Sequence, residues 1–246
     1  MSSFTFNGVS SDTLGLIITR PIVRPTWRPE TEFTPIIGRP RKSPYTKSYY
    51  ENVKMTVRAV ITDTSQENIR DIYNVLRDYH RLFISTSPNE FLNAYCRLPV
   101  PEAQALNIAE LPIEFECEPF AYKSVVPLRQ DITAATNYTE IDNAGTVFSD
   151  PEIVFKPSKS ATVFDCNGKT ITVRTPQAII DDNYSQDYSV HIDCDGELAY
   201  YVTPGDAKIG CTELTSGPFP RLHSGENYIK HDGVNDAFID YWERFF

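Results

Sequence analysis

Six prolines fall between Pro21 and Pro44 (Pro21, Pro25, Pro29, Pro35, Pro40 and Pro44), and they decide what that stretch cannot become. Each fixes φ and lacks a backbone donor, so neither a helix interior nor a central strand runs through it. The same stretch lies inside a basic run. Nine Lys and Arg residues occur from Arg20 to Arg58, opposed only by Glu30, Glu32 and Glu51. Yet Trp27, Phe33, Ile36 and Ile37 sit there too, and a purely solvated loop does not favour such side chains. Residues 20–48 therefore read as an extended arm. It packs either on its own domain or on another subunit, because a long irregular loop in a compact domain is usually functional or a linker. Arg24, Trp27, Arg28, Phe33, Ile36, Ile37, Arg39 and Arg41 are the candidate contact residues. A DNA-binding arm is disfavoured by the acidity of the rest of the chain.

That acidity is localised. Up to residue 133 there are 15 basic and 15 acidic residues; beyond it, 8 basic face 18 acidic, so the whole net charge of −10 lies in the second part. Glycine rises from 3 to 8 across the same point, while 12 of the 18 prolines precede it. Coincident shifts mark a domain boundary. A chain of 246 residues accommodates two small domains. The polar stretch Asp131–Asn137 is the expected linker, which predicts domains at 1–135 and 136–246. With 41% hydrophobic and 23% charged residues, composition is that of a globular protein and excludes disorder. The acidic balance excludes a generic nucleic-acid binder. No apolar run is long enough for a transmembrane helix. The N-terminus lacks the basic and apolar regions of a signal peptide, so none is expected. The five cysteines are then expected as reduced thiols.

The first part reads as strands with one helix. Phe4-Thr5-Phe6 precedes an Asn7-Gly8 turn, and Leu14–Thr19 is a second apolar run. Val53, Met55, Val57 and Ala59 alternate with polar residues, the period of a half-buried strand. Thr64 and Glu67 form a capping box, predicting a helix over 65–80 with Ile69, Ile72, Tyr73, Leu76 and Tyr79 on its buried stripe. Arg81–Ser85 reads as a short strand. Ile113, Phe115 and Cys117 alternate with Glu114, Glu116 and Glu118, and Pro119 is expected to end that strand. The second part shows short strands only. Asn167-Gly168 and Asp195-Gly196 each read as a type I′ hairpin turn, since both positions tolerate φ > 0. Strands at turn spacing without a convincing helix predict a β-sandwich. The fold class expected is mainly β: an α+β N-terminal domain with a split barrel or sandwich and one helix, then a β-sandwich.

No residue constellation points to a reaction, and the chain is read as no enzyme, with no catalytic, metal or cofactor-binding residue and no cofactor. Asp193-Cys194-Asp195-Gly196 resembles a calcium loop but has strands, not helices, on its flanks, and lacks the distal Glu. Cys166 and Cys194 lack two further ligands for zinc. His80, His191, His223 and His231 are scattered. No nucleophile-elbow, zincin, P-loop or dinucleotide motif occurs. Tyr184, Tyr188, Tyr200, Tyr201 and Trp242 could line a sugar-binding face, although strand aromatics are more often core or cross-strand pairs.

Several segments carry a resemblance. Phe4-Thr5-Phe6-Asn7-Gly8-Val9, followed by Leu14-Gly15-Leu16-Ile17-Ile18, resembles the opening of the distal tail protein (Dit) family of siphophages and prophages. Ile36-Ile37-Gly38-Arg39, the run from Glu114 to Tyr122, Asn143-Ala144-Gly145-Thr146 with Pro151-Glu152-Ile153, Gly225–Ile229 and the ending Tyr241–Phe246 are similar to family segments in the same order. Pro40-Arg41 departs from the pattern, since a further glycine is common after the Gly-Arg element. The resemblance implies a structural component of the phage tail hub: a homohexameric ring, single or stacked, joining the tail tube to tail-tip or baseplate proteins around a channel for DNA. It implies a ring-forming N-terminal domain, an arm that grips the neighbour, and a galectin-like C-terminal sandwich. Implied partners are further copies of the chain, the major tail tube protein, the tape-measure protein, the tail-tip protein and a receptor-binding protein, without specific nucleic-acid binding or membrane insertion. The implied location is the virion tail tip, after assembly from the host cytoplasm. A channel that passes DNA should not bind it, so Glu114, Glu116 and Glu118 are candidate channel-lining residues. A carbohydrate-binding or adhesive sandwich on the host surface is the alternative.

Overall fold

The structure, a computed structural model, describes residues 2–24, 31–34, 43–46, 50–101, 103–105, 108–132, 137–184, 187–232 and 236–246, with backbone alone for 31–34, 43–46 and 103–105. The chain forms two compact units, residues 1–123 with the terminal Phe246 and residues 124–245.

Among its described residues the first unit has one main antiparallel sheet, a separate two-stranded ribbon and one helix. Its strands are β1 (Phe4–Phe6), β2 (Val9–Ser10), β3 (Leu16–Ile18), β4 (Thr31–Thr34), β5 (Ser43–Thr46), β6 (Val53–Ile61), β7 (Tyr79–Ile84), β8 (Ser87–Arg97), β9 (Ala103–Ala105) and β10 (Ile108–Tyr122). The order β2-β1-β7-β8-β10-β6-β3 makes the sheet, with β9 also on β10; β4 and β5 pair only with each other. Asn7 and Gly8 take φ of 51° and 75°, so the β1–β2 turn uses the two positive values that a type I′ turn needs. Alternation on β6 and β10 delivers Met55, Val57, Ala59 and Ile61, and Ala109, Leu111, Ile113, Phe115 and Cys117, to one buried face. Phe115 packs edge-on to Phe4 (ring centroids 5.4 Å apart) and against Phe6 (5.3 Å). Each such fully buried side chain contributes about 1.5–3 kcal/mol.

Helix α1 covers Gln66–Leu76 and buries Ile72 and Leu76 on this core. It is shorter than expected. Ser65, one residue past the predicted cap, accepts from the Asn68 amide (3.3 Å). Arg77 is already extended, and Asp78 has φ 70°, so the helix stops there. Tyr79 and His80 belong to β7, where Tyr79 pairs with Tyr95. Their apolar spacing fits a helix and a strand equally, and only the left-handed break at Asp78 separates the two. Pro119 does not end its strand either. The β8–β10 register shifts between Cys117 and Ala121, and a proline is tolerated in such an irregularity because no ladder donor is needed there.

The second unit holds β11 (Leu128–Asp131), β12 (Thr139–Asn143), β13 (Glu152–Phe155), β14 (Ala161–Cys166), β15 (Lys169–Arg174), β16 (Ser189–Asp193), β17 (Leu198–Val202), β18 (Lys208–Gly210), β19 (Thr215–Ser216), β20 (Gly225–His231) and β21 (Ala237–Tyr241), with one short helix, α2 (Gln177–Asp181). Two sheets, β11-β21-β13-β16-β17-β18 and β12-β20-β14-β15-β19, share one core. Phe155 from the first meets Phe164 from the second at 5.1 Å. The chain as a whole is mainly β. The unit begins earlier than the composition suggested: β11 pairs residue by residue with β21, Leu128 opposite Tyr241 and Asp131 opposite Phe238, so the division follows Lys123 and not residue 135.

The hairpin at Asn167-Gly168 has φ of 53° and 78°, the expected geometry. The hairpin at Asp195-Gly196 exists, but its turn differs. Asp193 pairs with Leu198, leaving a four-residue loop whose left-handed residue is Glu197 (φ 50°). Asp193 Oδ1 accepts from the Asp195 and Gly196 amides at 3.1 and 3.0 Å, an Asx turn in place of type I′.

Candidate functional site

The arm leaves the first unit after β3. Ile22 is 4% exposed, and its carbonyl accepts from Thr86 Oγ1 at 3.2 Å. Arg24 forms an ion pair with Glu90 at 2.5 Å within its own unit. Trp27, Arg28, Ile36, Ile37, Arg39 and Arg41 lie outside the described residues. The Phe33 backbone lies in β4, opposite Pro44 of β5. The prolines thus leave room for a two-stranded ribbon, separate from the main sheet. Residues 20–24 and 54–58 line a groove of about 420 Å³ with four cations, Arg20, Arg24, Lys54 and Arg58, and no acid in its lining.

The three glutamates of β10 do not form a uniform acidic row. Glu114 is exposed, whereas Glu116 and Glu118 are half-buried. Glu116 pairs with Arg97 (3.6 Å) and accepts from Asn52 Nδ2 (3.4 Å). Glu118 is held by three donors: the Tyr79 hydroxyl, Tyr122 Oη (2.6 Å) and Asn93 Nδ2 (3.1 Å). Burial, then the bond to Glu118, pushes the Tyr79 phenol far above its ordinary value. Glu118 ties β7, β8 and β10 together.

The second unit presents a cleft of about 280 Å³ lined by Asp150, Glu152, Asp193, Asp195 and Asp240, beside Tyr200, Trp242 and Arg244. Its carboxylates are committed. Asp150 accepts from Arg221 Nε (2.7 Å) and Arg244 Nη1 (2.8 Å). Asp195 takes Arg244 Nη2 (3.0 Å). Asp240 receives a bidentate fork from Arg129 at 2.8 and 2.6 Å. Of the aromatics proposed for a sugar face, Tyr201 is core, and the Tyr200 ring already carries the His191 imidazole stacked at 4.8 Å and the Lys208 ammonium at 4.8 Å.

One arrangement escaped the sequence because it is made across strands. Ser189 Oγ lies 3.0 Å from His191 Nε2, and His191 Nδ1 lies 2.9 Å from Glu152 Oε1, which also accepts from the Tyr200 hydroxyl (2.8 Å). The bond from His191, foremost, holds the Glu152 carboxyl below the usual carboxylate range. The order is that of an acyl-transfer triad. However, β16 is flanked by β13 and β17, so its backbone N–H groups are committed to the ladder and offer no oxyanion hole. Ser189 does not line the cleft. The row serves as cross-strand packing.

Among the described residues no group of three or more His, Cys, Asp and Glu is arranged to hold a metal, and no helix is long and apolar enough to cross a membrane. His231 is buried, with Nε2–H donating to the Ile132 carbonyl at 3.2 Å, and burial holds its imidazole below the ordinary value. All five cysteines are free and buried. Burial pushes Cys96 and Cys117 up to about 12 and Cys166 and Cys211 to about 11, and raises Cys194 further still. Thiolate is the reactive form, so the native protein should resist Ellman's reagent at pH 8 and yield all five thiols in guanidinium. Stoichiometric labelling of any cysteine within minutes under native conditions would contradict this burial.

No protein-family model and no curated protein matches the chain. Solved structures do. The Dit protein (gp 19.1) of phage SPP1, described as a paradigm of the hub adsorption apparatus in phages infecting Gram-positive hosts, superposes with a TM-score of 0.75 at 16% identity, covering 100% of both chains. A chain of the phage p2 baseplate, in its activated conformation with Sr, gives a TM-score of 0.56 at 9% identity over 98% of each chain. The fold of this chain is thus that of the SPP1 Dit protein from end to end, in agreement with the family resemblance of its sequence.

Proposed function

We propose that this chain is a structural protein of a bacteriophage tail, a distal hub that joins the tail tube to the tail-tip or baseplate proteins. The end-to-end likeness to the SPP1 hub protein carries the reading, because it spans both units and not a common module alone. In this reading the first unit closes a ring of six copies around a channel for DNA, and the second unit, galectin-like in architecture, stands at the periphery near host-adsorption proteins. A closed ring requires a heterologous interface, in which different patches of neighbouring copies meet. The basic arm fits that requirement, with Phe33, Ile36 and Ile37 as apolar anchors and its cations facing acid on the next copy. The partners are other copies, the tube protein, the tape-measure protein and the tail-tip protein; the work is assembly, with no reaction of its own.

Light scattering tests the ring directly. The expected mass is six or twelve times 27.9 kDa. A strict monomer at high protein concentration would remove the hub assignment.

A further inference from the structure

Among the described residues, β6 carries a stretch of edge with no strand beside it. β10 covers one side along Val53–Ile61, while β3 covers the other only at Ala59–Ile61. The last bond on that second side is from the Thr19 amide to the Arg58 carbonyl, 3.0 Å. It fixes the parity of the strand: the backbone groups of Arg58, and by alternation those of Thr56 and Lys54, point away from β10. Pairing with β10 is unbroken through these residues, so no bulge changes that direction. Residues 20–24 then diverge towards Thr86 and Glu90, which opens the groove of about 420 Å³. Among the described residues nothing bonds to the backbone N–H or C=O of Lys54 or Thr56.

We propose that this open edge of β6 is a strand-addition site for an extended acidic segment of another protein. An added strand would satisfy the outward donors and acceptors of Lys54 and Thr56, the usual source of affinity in such complexes. Its alternate side chains would fall beside Lys54, Thr56 and Arg58 on the solvent face, where acidic residues meet cations. Arg20 stands on the opposite wall, and Val23 there is 76% exposed. Specificity then follows from charge on one row and apolar contact on the other.

The chain itself does not supply the occupant. Its arm is basic and would be repelled. Among the described residues its acidic edge strand is β12, whose outward carbonyls are taken: Gln130 Nε2 donates to Glu140 O (2.7 Å) and Tyr241 Oη to Asp142 O (3.1 Å). Nucleic acid fits less well than peptide, because phosphates offer no donor to the Lys54 and Thr56 carbonyls.

The test titrates the full-length protein into a fluorescein-labelled peptide of alternating Glu and Val, seven residues long, and follows anisotropy. Binding is expected, and the same peptide N-methylated at alternate residues should bind at least tenfold more weakly, since it cannot complete a ladder. Thr56→Pro removes an outward donor while sparing the ladder to β10, and should weaken binding at least tenfold. The Arg20→Glu/Lys54→Glu variant leaves the backbone intact and should do the same. Absence of binding, or equal affinity for the N-methylated peptide, overturns the proposal whatever the fate of Thr56→Pro. So does double-stranded DNA binding as tightly as the peptide and losing affinity in the charge-reversed variant. The ring is measured separately by mass, so this site can fail while the hub assignment stands.

Discussion

Asp150→Ala should destabilise the second unit by about 3 kcal/mol, the lower end of the cost of breaking a buried ion pair, because Arg244 keeps Asp195 as a second partner. Asp150 and Arg244 have side chains only 9% and 11% exposed, and their contact is 2.8 Å. Asp150 is also the acceptor for Arg221, whose guanidinium stacks on Phe148 at 4.0 Å. One substitution therefore takes an acceptor from two cations, and the largely dehydrated one, Arg244, keeps the exposed Asp195 as an ion-pair partner. Lys156–Asp236 is the control. Its atoms are 3.7 Å apart and its side chains 40% and 69% exposed, so Asp236→Ala should cost under about 1 kcal/mol. With a urea slope of about 2 kcal/mol/M, Asp150→Ala shifts the midpoint by roughly 1.5 M and Asp236→Ala by about 0.5 M or less. Equal midpoints for the two variants would show that the Asp150 network is not integral to the fold.

The contrast between these two pairs shows what the sequence could carry and what it could not. Both are Asp with a distant cation, and nothing local marks one as buried. Local chemistry was readable where a few adjacent residues decide the backbone. Asn7-Gly8 and Asn167-Gly168 adopt the turn their side chains favour, and alternation along Val53–Ile61 gives the buried face of β6. Asp195-Gly196 failed as a turn prediction because Asp193 captured both amides, so a tertiary register, Asp193 opposite Leu198, overrode a dipeptide preference. β8 was missed altogether. Ser87–Arg97 contains Pro88, Asn89 and Asn93, and it becomes a strand because β7 and β10 already stand on either side. The charge shift did announce two units, yet it placed their boundary late, since Leu128–Asp131 is polar in sequence and earns its place in β11 through pairing with β21. At the candidate site the prolines and cations of the arm were visible from composition alone. The open β6 edge was not, because it depends on where β3 ends. Nor was the knot at Glu118, whose three donors come from β7, β8 and β10.

Reversing the arm's charge should abolish ring closure while leaving each copy folded. Arg28, Arg39 and Arg41 are the residues to change to Glu. They lie in the arm beyond Arg24, which is already paired to Glu90, and beyond Ile22, which belongs to the core, so neither Ile22 nor Arg24 should be included. If the arm meets acid on the next copy, three attractive contacts become repulsive. Like charges brought together at an interface cost several kcal/mol, which lowers the association constant at least a hundredfold. Wild-type rings should also loosen as salt rises, because the screening length falls from about 10 Å at 0.1 M to about 3 Å at 1 M. The apolar anchors Phe33, Ile36 and Ile37 do not share that salt dependence, so rings that resist 1 M salt yet fall apart in the triple-Glu variant would assign the loss of closure to repulsion introduced by the mutations, not to the removal of a native attraction. Light scattering and far-ultraviolet circular dichroism on the same samples separate assembly from folding. A variant that keeps the wild-type mass would show that the arm folds back on its own unit, and the hub would then have to close through the sheet alone.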